Sequence, residues 1–287
     1  MQPDIDAFFD EATNTVTYVV ADPATKAAAV IDPVLNYDPK AGRTSTTSAD
    51  RLIEAVRVKG LRVDWLLETH VHADHLTAAP YLKERLGGQT GIGEHIRDVQ
   101  AFWGKVFNAE PSFATDGSQF DRLFRDADRF HIGDLEVEVM HTPGHTAADV
   151  TYRIGDAAFI GDTLFMPDYG TARADFPGGD ARTLFRSIRR LLALPPETRL
   201  FTAHDYQAPG RDHYAWESTV SGQRAGNVHV RDGLGEDEFV AMRTARDAKL
   251  AMPTLLLPSV QVNMRAGHLP PPEDNGTRYL KIPINLI

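Results

Sequence analysis

Near the first quarter of the chain stands Thr69-His70-Val71-His72-Ala73-Asp74-His75, and no other feature constrains the fold as much. Three imidazoles and a carboxylate follow directly on an apolar, strand-like segment, Val63-Asp64-Trp65-Leu66-Leu67-Glu68. A loop held between rigid elements is where functional side chains converge, and neutral imidazole is the commonest metal ligand. A lone histidine there would read as a solvated polar residue, whereas this cluster points to a bound metal. The chain has no cysteine. Disulfides, thiolate sites and cysteine nucleophiles are therefore excluded, and any metal must be held by imidazole and carboxylate.

Three later segments repeat the placement. His141-Thr142-Pro143-Gly144-His145-Thr146 follows the alternating strand Leu135, Val137, Val139; Gly161-Asp162-Thr163 follows Phe159-Ile160; His204-Asp205-Tyr206 follows Leu200-Phe201-Thr202-Ala203. Singly, each reads as a turn or cap; Asp162 alone is more often a turn residue. Together they put potential ligands at several strand ends, so that all can meet along one edge of the sheets.

The surrounding pattern alternates strand and helix. Thr15–Val20 and Ala27–Ile31 read as strands split by an Asp-Pro turn, and Val150–Ile154 with Ala157–Ile160 as a hairpin around Gly155-Asp156. Helices are expected from a Ser48 cap to Gly60, over Leu76–Leu86, over about Glu94–Val106, and from an Asp180 cap to Pro195-Pro196. Past Tyr206 the pattern becomes irregular, and the tail from Leu269 carries Pro270-Pro271-Pro272. These elements predict an α+β fold of two packed sheets covered by helices. With no low-complexity linker, one domain over 1–287 is expected, its core at about 12–206 and a C-terminal extension at 207–287.

Charge narrows the partners. A formal net charge of −10 argues against nucleic acid, which requires a basic surface. No apolar run approaches the roughly 20 residues that span a bilayer, so no membrane association is expected. The acidic start Met1-Gln2-Pro3-Asp4-Ile5-Asp6 reads as neither a secretory nor a transit signal, and the expected location is the cytoplasm.

His70-x-His72-x-Asp74-His75, then His145, Asp162 and His204, resembles the metallo-β-lactamase superfamily pattern over about residues 12 to 206. That resemblance implies an αββα sandwich of two mixed sheets with metals at one edge. It leaves the reaction open, because hydrolases, nucleases and oxygenases share the fold. Tyr169-Gly170-Thr171-Ala172-Arg173-Ala174-Asp175-Phe176, His204-Asp205-Tyr206, Val262-Asn263-Met264-Arg265-Ala266-Gly267 and the tail Leu280–Asn285 are similar to persulfide dioxygenases, in particular a bacterial β-lactamase hydrolase-like branch. Ala174 stands where many members are expected to carry Cys, so the chain offers no regulatory thiol there.

The resemblance implies one Fe(II) per chain, held by His70, His145 and Asp162, the catalytic centre. Two imidazoles and a carboxylate on one face match the ligand set of non-haem iron oxygenases. His72, Asp74, His75 and His204 would orient that set through hydrogen bonds or hold a second metal. The implied reaction is oxidation of glutathione persulfide by O₂ to sulfite and glutathione. Arg173 and Arg265 are then candidates to grip its carboxylates, since guanidinium pairs with carboxylate through two parallel hydrogen bonds. Tyr206 and Thr146 are candidate substrate contacts, and relatives suggest a homodimer. The remaining histidines, His95, His131, His141, His213, His229 and His268, read as surface or packing residues. The rival reading is a binuclear zinc hydrolase, a glyoxalase II-like thioesterase or a lactonase, for which every ligand is present. A metal-binding sensor is a second, weaker rival. The irregular, proline-bearing region past Tyr206 favours the dioxygenase, because a glyoxalase II is expected to carry a helical substrate domain there.

Overall fold

The computed structural model describes residues 2–286. Its first half contains β1 (Asp4–Asp10), β2 (Thr15–Ala21), β3 (Ala27–Ile31), β4 (Val34–Asp38), β5 (Arg43–Ser45), α1 (Thr47–Val58), β6 (Arg62–Leu67), β7 (Leu76–Thr77), α2 (Ala79–Leu86), β8 (Gln89–Gly93) and α3 (Ile96–Val106). The second half continues with β9 (Arg122–Phe124), β10 (Arg129–Ile132), β11 (Leu135–His141), β12 (Val150–Ile154), β13 (Ala157–Phe159), α4 (Ala181–Leu191), β14 (Arg199–Phe201) and β15 (Glu217–Thr219). Three helices close the chain: α5 (Val220–Gly226), α6 (Glu236–Asp247) and α7 (Leu256–Asn263).

Side chains alternate faces along a strand, and here that alternation sets the layers. Val16, Tyr18 and Val20 of β2 join Val137, Val139, Tyr152 and Phe159 in one core between the two large sheets. Their neighbours Val19 and Ala21 pack outward against Leu52, Ile53 and Val56 of α1 and Leu82 of α2. On the other side Ala158 and Leu200 face Leu184, Ile188 and Leu191 of α4. The result is helix, sheet, sheet, helix, the α+β sandwich expected from the sequence.

Each large sheet has six strands, in the orders β1-β2-β3-β6-β8-β9 and β10-β11-β12-β13-β14-β15, and a small third sheet, β5-β4-β7, stands beside them. Both large sheets are mixed: β3 runs parallel to β6 and β13 parallel to β14, while β1–β2 and β11–β12 are antiparallel. Two buried tyrosines tie loop to sheet. Tyr152 donates its hydroxyl to Glu68 O at 2.9 Å and Tyr18 donates to Thr202 O at 2.5 Å. No helix among the described residues is long and apolar enough to cross a membrane.

Several expectations are corrected. Ser48 does not cap α1; it lies inside the first turn and donates its hydroxyl to Asp10 at 2.8 Å. Leu76-Thr77 is a strand paired with β4, so the helix starts at Ala79. Past Tyr206 the chain is not irregular but helical in α5, α6 and α7. Helix α6 escapes hydrophobic periodicity because its inward face is Phe239, Arg243 and Asp247, a buried ion pair in place of two apolar residues. Pro258 lies in the first turn of α7, where a missing N–H costs no intrahelical bond.

Candidate metal centre

Four loops leave strand ends along one edge of the sandwich and are stitched together by their backbones. Val150 N donates to Thr69 O at 2.9 Å, Ala203 N to Gly161 O at 3.1 Å, and Val16 N to Ala203 O at 2.7 Å. Close approach makes glycine necessary at Gly144, next to His145. Its φ is +136°, and a Cβ there would stand 2.3 Å from the Leu184 backbone.

This stitching brings residues from three separate segments to one point. The ligand atoms of His70, His145 and Asp162 all lie within 4.8 Å of one another. His145 Nε2 is 3.5 Å and His70 Nε2 4.0 Å from Asp162 Oδ2, and all three side chains are buried. Two other groups are equally close among the described residues, His72 with Asp74 and His75, and Asp32 with Glu68 and His72. His204 belongs to none of these groups, although its Nε2 is 3.4 Å from both Asp74 Oδ2 and Asp162 Oδ1.

The residues fit a metal. His70 Nε2, His72 Nδ1, His75 Nε2, His204 Nε2 and Asp162 Oδ1 are buried without a hydrogen-bond partner. Such atoms are costly unless something satisfies them. Each of these four imidazoles meanwhile directs its other nitrogen at an oxygen, and His145 does the same with its Nδ1, the arrangement that orients metal-ligating histidines. His145 Nδ1 donates to Arg173 O at 2.8 Å, and His204 Nδ1 lies 3.2 Å from Asn14 O. His72 Nε2 sits 2.9 Å from Asp32 Oδ1, and His75 Nδ1 3.2 Å from Asp74 Oδ2. The Thr69 hydroxyl proton is given to Asp32 Oδ2, so its lone pair accepts from His70 Nδ1 at 3.0 Å. Burial, then the neighbouring His72 and His145, hold His70 well below the usual imidazole range, leaving it neutral with a lone pair to give. Burial also pushes the Asp149 carboxyl, which accepts from Thr146 N, up to about 6.

Three supports of this centre are absent from the sequence expectations. Asp32 accepts from Thr69 N at 2.7 Å as well as from the Thr69 hydroxyl and His72, and so organises the histidine loop. Its placement directly after the apolar strand Ala27–Ile31 is the same signal that marks Asp162. Asn263 at the end of α7 donates to His72 O at 2.9 Å and His75 O at 2.8 Å. Helix α6 secures the loop that holds His145: Arg243 donates to Thr171 O at 3.1 Å, and Asp247 accepts from Ala174 N at 2.9 Å.

The expected substrate contacts divide. A cleft of about 830 Å³ opens onto Asp74, His145 and Asp162, and both Tyr206 and Arg173 line it. The Tyr206 ring stacks on His204, with centroids 5.6 Å apart. The Arg173 guanidinium is not free to grip a ligand, being forked onto Asp175 at 2.6 and 2.8 Å. Arg265, by contrast, does not line the cleft. It is buried away from the cleft, paired with Glu110 at 2.7 Å and donating to Gln261 O, because α7 turns it towards the α3 side. Thr146 does not line the cleft either; its hydroxyl accepts from Ala148 N within its own turn. Of the remaining histidines, His229 is buried against Thr171, whereas His95 and His141 stack on each other 4.4 Å apart.

The family model described as the metallo-beta-lactamase superfamily matches residues 11–204. The chain is 60% identical to a probable metallo-hydrolase of Burkholderia pseudomallei over 99% of both proteins. It is 54% identical to a beta-lactamase hydrolase-like protein of Xylella fastidiosa, matching 99% of this chain but spanning only 65% of that protein's length. To the mitochondrial persulfide dioxygenase ETHE1 of Bos taurus it is 30% identical, over 92% of this chain and 89% of the relative. The crystal structure of ETHE1 from Myxococcus xanthus has a TM-score of 0.73 and 30% identity, covering 92% of this chain and 100% of that one. With a matching model across most of its length and candidate metal ligands gathered at one sheet edge, the chain belongs to the metallo-beta-lactamase superfamily of metal-dependent enzymes.

Proposed function

We propose that this protein is a non-haem Fe(II) persulfide dioxygenase converting glutathione persulfide, O₂ and water to glutathione and sulfite. The observation that carries the reading is the convergence of His70, His145 and Asp162, from three loops, within 4.8 Å. Two imidazoles and one carboxylate are the donor set that would hold a non-haem ferrous ion. Ferrous iron, when bound, supplies the redox chemistry and a template for small ligands. The similarity to a persulfide dioxygenase over 92% of the chain, far past the family core, supports the same choice.

The chain's own groups then orient and enclose. The Arg173 carbonyl and the Thr69 hydroxyl hold the tautomers of His145 and His70 that present Nε2. Asp74, His75 and His204 form a polar rim beside the centre. Phe165, Tyr169, Phe176 and Tyr206 give the cleft aromatic walls that limit water.

The binuclear zinc hydrolase is the second reading, and a specific observation favours it. His75 Nε2 and His204 Nε2 are also buried without partners, and relatives of higher identity carry hydrolase names. The helices past Tyr206 also remove the contrast drawn from an irregular C-terminal region. Elemental analysis of anaerobically purified protein, with oxygen uptake on glutathione persulfide, tests the proposal. One iron per chain with oxygen uptake and sulfite release is expected. Two zincs per chain in material that hydrolyses thioesters or lactones and consumes no oxygen would overturn it.

A further inference from the structure

Four arginines line the cleft, and their partners divide them into two kinds. Arg173 is forked onto Asp175, with its remaining nitrogen on Ala251 O at 2.8 Å. Arg243 is buried on Asp247 and on Thr171 O. Arg43 of β5 and Arg246 of α6 are exposed, and among the described residues neither takes part in an ion pair or a side-chain hydrogen bond. Position in the cleft is what singles these two out: elsewhere exposed Arg62, Arg129 and Arg190 are paired with carboxylates, whereas exposed Arg51, Arg57 and Arg231 take part in no ion pair among the described residues. The cleft has acids at its rim too, but they are engaged. Asp10 accepts from Thr13, Asn36 and Ser48, and Asp38 from the Lys40 and Ala41 amides.

We infer that Arg43 and Arg246 are the carboxylate-recognition site of this cleft, selecting a small thiol-derived substrate with two carboxylates over a neutral one. The proposal rests on the glutathione persulfide reading for which dicarboxylate is taken. Each guanidinium offers a planar fork of donors that matches a carboxylate. Because the net charge of −10 disfavours anions over the surface as a whole, attraction must be local, and a low-dielectric cleft focuses it. The charge of Arg246 already reaches the cleft wall: burial raises the Tyr169 phenol, and Arg246 with Arg243 draws it back. The two arginines come from different elements, a hairpin of the small sheet and the C-terminal half of α6, so a ligand spanning both is also measured for length.

The test is glutathione binding by calorimetry to the enzyme with its native metal, compared with glutathione diethyl ester, for wild type, Arg43→Gln, Arg246→Gln and the double variant. Wild type should bind glutathione about a hundredfold more tightly than the ester, and each single variant should lose about tenfold for glutathione with none for the ester. Metal content and kcat should stay unchanged, while KM for the persulfide rises. Arg246→Lys should restore part of the affinity, since it keeps the charge and loses the fork. Equal binding of glutathione by wild type and double variant, or of glutathione and ester by wild type, overturns the assignment. So does a wild type that binds no glutathione. Because binding is read without turnover, arginine-dependent binding with no oxygen uptake keeps this site and removes the dioxygenase reading. Oxygen uptake with arginine-independent binding does the reverse.

Discussion

Asn263 donates its amide to the main-chain carbonyl of His72, 2.9 Å away in space and 191 residues away in sequence. Its second donor goes to His75 O, and its oxygen accepts from Thr77 N at 2.9 Å. One side chain at the end of α7 thus holds both ends of the histidine loop. Replacing Asn263 by Ala leaves two buried carbonyls and one amide unpaired, and outer hydrogen bonds of this kind typically set metal affinity by about 10- to 100-fold. Asn263→Ala should lose metal to a chelator at about tenfold lower concentration than wild type, with far-UV circular dichroism unchanged. Unaltered metal retention would show that the loop holds itself.

The mononuclear and binuclear readings separate at His204. If one iron sits on His70, His145 and Asp162, His204→Ala keeps the full metal stoichiometry and loses part of its activity. Asp162→Ala should lose both. Halved metal content in His204→Ala, measured by elemental analysis against protein concentration, would instead mark His204 as a ligand of a second ion.

The two core tyrosines should behave as tethers rather than catalytic groups. Tyr152→Phe strands the Glu68 carbonyl in a buried site and should cost about 1–3 kcal/mol in urea unfolding. The metal-free protein should show the same cost, since the bond does not involve the ion. A loss seen only in the metal-loaded form would place Tyr152 in the centre instead.

His229 sets an acid limit on stability. Burial, together with Arg246 and Arg243, lowers its imidazole to about 4 in the folded protein, and its Nδ1 accepts from Thr171 N at 3.1 Å. Unfolded, it titrates near the ordinary value of about 6.5. Between those values the unfolded chain binds the proton that the folded chain refuses, so stability falls as pH drops from about 6.5 towards 4. Above 6.5 both states are neutral, and the group adds no pH dependence. His229→Asn should flatten this part of the urea-midpoint profile between pH 7 and pH 5; an unchanged slope would contradict the account.

The candidate metal ligands were legible for a local reason. His70, His145 and Asp162 each stand in the loop that leaves an apolar strand, within a few residues of its end, and a strand end is a backbone feature that alternation reveals without knowledge of neighbours. Asp32 carries the same mark after β3 and was open to the same reading. The substrate contacts were less legible, because a guanidinium's role depends on what lies beside it after folding. Arg173 and Arg265 are claimed by Asp175 and Glu110, and only Arg173 even reaches the cleft. Helix α6 stayed hidden for a related reason: its inward face holds the ion pair Arg243–Asp247 where periodicity looks for apolar residues.

By itself, then, the sequence determined the αββα layering and put forward most of the candidate metal ligands, since both depend on strand period and on chemistry carried by single side chains. The tertiary structure alone decided which imidazole nitrogen faces the centre, that Asn263 and α6 brace the loops, and which arginines remain free for a ligand. Those depend on pairings between groups tens to hundreds of residues apart, and a partner at that distance leaves no trace in local pattern.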